Sequence, residues 1–293
     1  MVSPKTWHER SANALIYLFL IFLSVIFIYP LFYVLFSSLS DPAQLTRHRG
    51  LLLAPIGFST VAYEAVLKNP QILSGYRNTL FVLLVGLCFN ITLTCIGAYF
   101  LTRTKALFYK PIMIFILLTM YFSGGLVPFF LTVRDLGMYN SLWALIIPSA
   151  ISTYNLILLR SYFASIPESL VESVNIDGGG HWTVLFHIFI PLSKAAMAVM
   201  VLYYGVSHWN SWFNAMIFLR KADQYPLQLI LRNMLIEGSN LDINTSHGAM
   251  DYEVMAKSIK SAAIIVSTLP ILCIYPFLQK YFVGGLMIGS LKG

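Results

Sequence analysis

The sequence predicts an all-α membrane protein of six transmembrane helices, with a short cytoplasmic helix pair between the fourth and the fifth. Three observations carry this reading. Only 11% of the 293 residues are charged and 58% are hydrophobic, whereas a soluble domain carries about a quarter charged residues. Several apolar runs reach the roughly 20 residues that a bilayer span needs. One stretch between two such runs, 167–192, turns polar and glycine-rich without reading as a plain loop.

Residues 1–11 form a polar tail with Lys5, His8, Glu9 and Arg10. Span 1 follows, about 12–39, with Pro30 inside it. It is too long for the apolar region of a cleavable leader, so it is expected to remain as an anchor. Residues 40–73 make a long polar connection holding Asp41, Arg47, His48 and Arg49. Span 2, about 75–101, runs into Arg103, Lys105 and Lys110, a short cationic loop typical of a cytoplasmic face. Span 3, about 111–133, holds Gly124, Gly125 and Pro128, which a membrane helix tolerates where neighbours re-satisfy the freed backbone. A tight turn over 134–140 leads to span 4, about 141–163, with Pro148 and Asn155. Span 5, about 192–219, follows the polar stretch. A second long polar connection, 220–256, carries Asp223, Arg232, Glu237, Asp242, Asp251 and Glu253. Span 6, about 257–282, precedes a glycine-rich tail, 283–293. The whole chain reads as one domain.

An even number of spans puts both termini on one side. Lys5, Arg10, Arg103, Lys105, Lys110, Lys280 and Lys292 gather there, against Arg134 in the short loops opposite. The excess of Lys and Arg assigns that side, and with it the 167–192 stretch, to the cytoplasm.

Composition and motifs exclude much. A net charge of +7 comes without a basic stripe interleaved with aromatics, so nucleic acid is not an expected partner. Cys88, Cys95 and Cys273 all lie in apolar runs, and no Cys/His cluster points to a metal or a disulfide framework. There is no G-x-x-x-x-G-K-[ST] loop, and no G-x-S-x-G or H-E-x-x-H set. The chain is therefore not read as an enzyme. Spans almost free of Asp and Glu argue against a secondary transporter, which needs intramembrane acids or a coupling-ion site.

Within the polar stretch, Ser165 reads as an N-cap, and Pro167 sits near the first turn, where a missing N–H costs nothing. Glu168 favours the positive end of the helix dipole. Leu170, Val171, Val174 and Ile176 recur at roughly helical spacing. Gly178, Gly179 and Gly180 should end the helix, and a second one should run from His181 or Trp182 to Pro191. Glu172 and Asp177 have two readings: a solvated face of an interfacial helix, or an anionic docking surface for a basic groove on a soluble partner.

In span 5, His208 reads first as a buried group hydrogen-bonded to a neighbouring helix, and second as a pathway residue. Trp209, Asn210, Trp212 and Asn214 fit two roles equally. Aromatic faces beside amides suit sugar stacking, and they suit an interfacial aromatic belt as well.

Glu172-Ser173-Val174-Asn175-Ile176-Asp177-Gly178, then nine residues, then Ile188-Phe189-Ile190-Pro191, resembles the EAA loop of binding-protein-dependent ABC importer permeases. That pattern is E-A-A, three residues, G, nine residues, I-x-L-P. Ser173 and Val174 replace the alanines and Ile190 the leucine, each keeping a small or apolar character. The W-N-x-W-F run and the Q-K-Y-F-V-G-G-L ending extend the resemblance along the chain. It is nearest the carbohydrate branch, the maltose-type second permease, and within it permeases for acidic oligosaccharides such as alginate. The resemblance implies a coupling helix pair, with Glu172, Ser173, Asp177, Gly178, Ile188 and Pro191 as the residues that couple it to a partner ATPase, Glu172 and Asp177 forming the charged face toward it. It also implies a second, different permease, two ATP-binding subunits that hold ATP and Mg, and an extracytoplasmic solute-binding protein. The 220–256 connection would probe that binding protein, and the 283–293 tail would reach toward the ATPase.

Overall fold

In lipid the backbone must satisfy its own hydrogen bonds, so a chain this apolar forms helices wherever glycine or proline does not interrupt it. The computed structural model describes residues 7–104, 106–236 and 249–290. The first residues of the N-terminal tail, Lys105, the middle of the second long connection and the last residues of the C-terminal tail lie outside these. Among the described residues there is no strand, only an isolated antiparallel bridge between Ser40 and Phe58. Among the described residues three helices are long and apolar enough to cross a membrane, Ser11–Ser38, Pro70–Phe100 and Met255–Ile274, and two bent pairs bring the number to as many as five.

The chain divides into two compact units, Met1–Asn69 with Met234–Leu269, and Pro70–Asn233 with Pro270–Gly293. The first unit holds α1 (Trp7–Ser38), α2 (Pro42–Arg47) and α3 (Val61–Lys68). None of the apolar window of α1 is buried within the chain, so its surface needs lipid or another protein. Its C-terminal end is pinned by serines. Ser261 Oγ donates to Ser37 Oγ at 3.0 Å, and Ser38 Oγ pairs with Tyr63 Oη at 2.7 Å. Asp41 Oδ1 accepts from Gln44 N at 3.0 Å and caps α2. The expected polar connection 40–73 is thus partly folded: Leu45, Leu52, Ala62 and Val66 are buried in it.

The second unit is built on α4 (Pro70–Phe100), followed by α5 (Tyr109–Tyr121), α6 (Leu126–Asp135), α7 (Trp143–Ile146), α8 (Thr153–Ala164), α9 (Glu168–Ile176), α10 (His181–Val184), α11 (Ile190–Leu192), α12 (Lys194–Trp209) and α13 (Trp212–Phe218). Both α14 (Leu227–Ile236) and α15 (Ala249–Ser290) are shared between the units. Gly75, Gly86 and Gly97 lie eleven residues apart on α4, a repeat close to the helical period that puts them on one face. Each is a point of close approach. An added Cβ would lie 2.6 Å from Ile230 Cδ1, 2.5 Å from His208 Nε2 and 2.9 Å from Leu156 Cδ1, respectively.

Polar side chains on the same helix repair breaks in its neighbours. Asn90 Nδ2 donates to the carbonyls of Ser149 and Ala150, at 2.7 and 3.0 Å. Asn78 Nδ2 donates to Asp223 O at 2.7 Å and Tyr225 O at 3.2 Å. Thr79 Oγ1 accepts from Leu227 N at 2.9 Å, and Thr94 pairs with Tyr204 Oη at 2.8 Å. Tyr204 Oη in turn accepts from Ser152 N. These bonds are why interrupted helices survive here.

The interruptions depart from the expected continuous helices. The 111–133 segment is two helices bent by 116°. Gly125, at φ +84°, leaves the helical region between them. The 141–163 segment is α7 and α8, separated at 147–152, where Pro148 cannot continue a hydrogen-bonded ladder. The 192–219 segment breaks at Asn210 and Ser211. The expected polar connection 220–256 begins with a buried helix, α14, whose Leu227, Leu229 and Ile230 are at most 2% exposed.

Candidate functional site

The 167–192 stretch is a helix, a glycine turn and a second helical segment. Ser165 does not cap it. Its hydroxyl donates back to Tyr162 O at 2.7 Å and it closes α8 instead. Pro167 takes the N-cap position of α9 in extended geometry. The periodicity holds: Val171 is 5% exposed, and burying such a side chain is worth about 1.5–3 kcal/mol. Val174 packs on the same cluster, beside Phe163, Leu185 and Phe189. Ile176 does not; it is 85% exposed.

The turn has a defined chemistry. Gly179 N donates to Val174 O at 2.8 Å, and Gly178 N to Asn175 O at 3.1 Å. This is a Schellman cap, whose central residue must adopt a left-handed conformation. Gly178 has φ +81°. Gly179 is small for another reason, because a Cβ there would lie 2.5 Å from Val174 Cγ1 and 3.1 Å from Val174 O. Gly180 has neither constraint.

The second half begins at His181 as expected, then widens into a π-turn over Leu185–Phe189 before α11. Pro191 accounts for the widening, since it has no N–H for the i−4 carbonyl and its ring crowds that carbonyl. Beyond Ser193 the chain turns, and His181–Leu192 lies at 84° to α12. Phe189 anchors the segment. It meets Tyr99 and Phe163 edge-on, each at 5.1 Å between ring centres. Ile188 and Ile190 pack around the same cluster. Arg103 Nη2 donates to Tyr99 Oη at 2.7 Å, its guanidinium lies 4.7 Å above the Tyr99 ring, and Tyr99 Oη is 2.9 Å from His181 Nδ1. The C-terminal end of α4 and the loop are therefore one locked body.

Glu168, Glu172, Ser173, Asn175 and Asp177 are exposed. Among the described residues, none of these acids takes part in an ion pair. The helix thus buries its apolar edge in its own unit and presents an uncompensated acidic face. Through the glycine turn this face is joined to His181–Leu192, which is tied to α4 and set at 84° to α12.

In α12 and α13, His208 is buried, and Nε2 is 2.7 Å from Asn90 Oδ1. It is the neighbour-bonded group that was expected first. Trp209 is buried edge-on to Tyr76 at 6.4 Å. Trp212 is 38% exposed, with the Arg232 guanidinium 5.4 Å above its ring. Asn210 is exposed and Asn214 half-buried. Sequence reasoning missed Tyr99, Arg103, Asn90 and Gly86, all on or just after α4. The signal was present as asparagines inside an apolar span, where a polar group marks a bundle interior.

No protein-family model matches the chain. It is 36% identical over 285 residues to the polygalacturonan/rhamnogalacturonan transport system permease protein YtcP of Bacillus subtilis (strain 168), spanning 97% of this chain and 99% of that one. It is 35% identical over 297 residues to protein LplC of the same organism, spanning all of both. A crystal structure of a bacterial ABC transporter involved in the import of the acidic polysaccharide alginate matches with a TM-score of 0.88 and 29% identity, over 96% of this chain and 100% of that one. The chain belongs to the permease proteins of ABC transport systems. The resemblance drawn from the loop holds, and the permease is a multi-pass membrane protein and a transport component, not an enzyme.

Proposed function

We propose that this permease is one of two different membrane subunits of a binding-protein-dependent importer in the bacterial cytoplasmic membrane, passing an acidic oligosaccharide into the cytoplasm. The single observation behind the mechanism is the acidic face of α9, joined by the glycine turn to His181–Leu192, which is locked to α4 and bent 84° from α12. In this reading Glu172, Ser173, Asp177 and Gly178 meet a groove on one of two ATP-binding subunits, which supply ATP and Mg. Ile188 and Pro191 carry the motion into α12. The chain crosses the membrane six times with both termini cytoplasmic, and the spans alternate between outward- and inward-facing arrangements.

The acidic substrate is supported by two relatives, one a permease for polygalacturonan and rhamnogalacturonan, one a transporter involved in alginate import. The chain adds one feature of its own. Arg232 stacked on the half-open Trp212 offers a ring face for sugar C–H groups beside a cation for a carboxylate. Trp209, Asn210 and Asn214 complete the pathway candidates. The test is ATP hydrolysis by the reconstituted complex with its solute-binding protein, across uronate and neutral oligosaccharides. Stimulation by uronate oligosaccharides alone is expected. Equal or greater stimulation by neutral ones would replace the acidic cargo with a neutral one.

A further inference from the structure

A cavity of about 490 Å³ opens beside the locked body, lined by Ile96, Tyr99, Phe100, Arg103, His181 and Trp182 among others. Its two ends differ in chemistry. Ile96 and Phe100 lie one helical turn apart, about 6 Å along α4, and both are exposed, at 39% and 40%. They form an apolar wall at the end of a membrane span. Arg103, just past the end of that span, and His181 form a polar floor.

The floor is a donor surface. Among the described residues the Arg103 side chain makes one hydrogen bond and no ion pair, and its Nε is buried without a partner. Tyr99 Oη accepts from Arg103, so its own hydrogen is best placed toward His181 Nδ1. That arrangement leaves the imidazole proton on Nε2 as a second donor. Among the described residues no carboxylate lines the cavity, so none of them would hold an ammonium headgroup. Trp182, 62% exposed and stacked on Phe186 at 6.0 Å, stands at the rim as interfacial aromatics do.

We infer that this cavity is a binding site for an anionic glycerophospholipid of the cytoplasmic leaflet. Its phosphate lies on Arg103 and His181 and an acyl chain runs along Ile96 and Phe100. A basic pocket at the cytoplasmic end of membrane helices has the charge and the depth for such a headgroup. Because Arg103 also holds Tyr99 and, through it, His181, the lipid would tighten the coupling segment that the proposed function invokes. The inference rests on that reading for the side of the membrane on which the cavity lies.

The assembled complex, offered equal amounts of phosphatidylglycerol and phosphatidylcholine and washed in neutral detergent, is assayed for bound lipid by mass spectrometry. The wild type should retain phosphatidylglycerol over phosphatidylcholine by about fivefold, the worth of roughly one cation near the surface. Arg103→Gln should bring the ratio near one, and Arg103→Lys should keep part of it. Ala106→Phe narrows the cavity without touching a charge and should lower retention of both lipids. A wild-type ratio in Arg103→Gln, or wild-type retention of both lipids in Ala106→Phe, overturns the inference. So does equal thermal stabilisation of a phosphatidylcholine-only complex by inorganic phosphate, which makes the site one for free phosphate. Loss of the ATP-binding subunits in Arg103→Gln with an unchanged lipid ratio also overturns it, assigning the cavity to an acidic protein surface. Failure of the coupling reading appears separately, as Glu172→Lys complexes that assemble and transport normally.

Discussion

Replacing Gly178 by alanine isolates the contribution of one backbone angle to the turn and to the coupling proposed for it. Nothing lies within 4 Å of the added Cβ, so the substitution meets no steric obstacle. Its φ of +81° is the whole cost. An L-residue in the left-handed region loses roughly 1–2 kcal/mol, which shifts the population of the capped turn about five- to thirtyfold. Gly180→Ala is the internal control, with open space and no left-handed angle; it should be neutral or slightly stabilising, by less than about 1 kcal/mol. Gly179→Ala should be the most damaging of the three, because its Cβ meets Val174 Cγ1 at 2.5 Å and the Val174 carbonyl at 3.1 Å. Combining it with Val174→Ala removes the first contact and leaves the second, so partial recovery is expected. Hydrogen exchange at the amides of Gly178 and Gly179 reads the turn directly, and ATP hydrolysis stimulated by the loaded binding protein reads the consequence. The expected order of damage is Gly179, Gly178, then Gly180. Indistinguishable exchange and stimulation in the Gly178 and Gly180 variants would refute the reasoning.

Three further outcomes follow from the same geometry. Glu172→Lys reverses an exposed charge that has no partner among the described residues; the permease should fold normally yet lose its ATP-binding subunits on purification or hydrolyse ATP without uptake. Gly86→Ala drives a Cβ to 2.5 Å from His208 Nε2, which should cost about 1–3 kcal/mol of thermal stability, and His208→Ala in the same chain should recover part of it. Asn90→Leu strands the carbonyls of Ser149 and Ala150 and the His208 imidazole, and should destabilise by about 1–3 kcal/mol, with early proteolysis near 147–152 as its signature.

The class of the molecule and the place of its polar, glycine-capped stretch are written locally. Apolar run length alone forces helices in lipid. The spacing from Glu172 through Gly178 to Pro191 specifies a capped helix, a left-handed glycine and a proline-bent second segment, each dictated by neighbours only a few residues away. The start of that second segment at His181 follows the same local rules. Ser165 shows their limit. It has the chemistry of an N-cap, yet α8 claims it as a terminator, because the preceding helix ends there and its carbonyl at Tyr162 is the nearer acceptor.

What the sequence could not decide is everything that depends on which helix lies beside which. Glycines eleven apart on α4 carry no message until His208, Leu156 and Ile230 are seen to fill the space they leave. Asn90 becomes a repair for the broken 147–152 backbone only through contacts 59 and 60 residues away. The joining of Tyr99, Arg103, His181 and Phe189 likewise spans distant parts of the chain. Sequence by itself determined that this protein is a helical membrane permease with an acidic, glycine-capped segment between two apolar stretches, because backbone satisfaction and capping are short-range demands. Tertiary structure alone decided that the second half of that segment is bolted to α4 and bent sharply from α12, because close packing and long-range hydrogen bonds exist only once the helices have met.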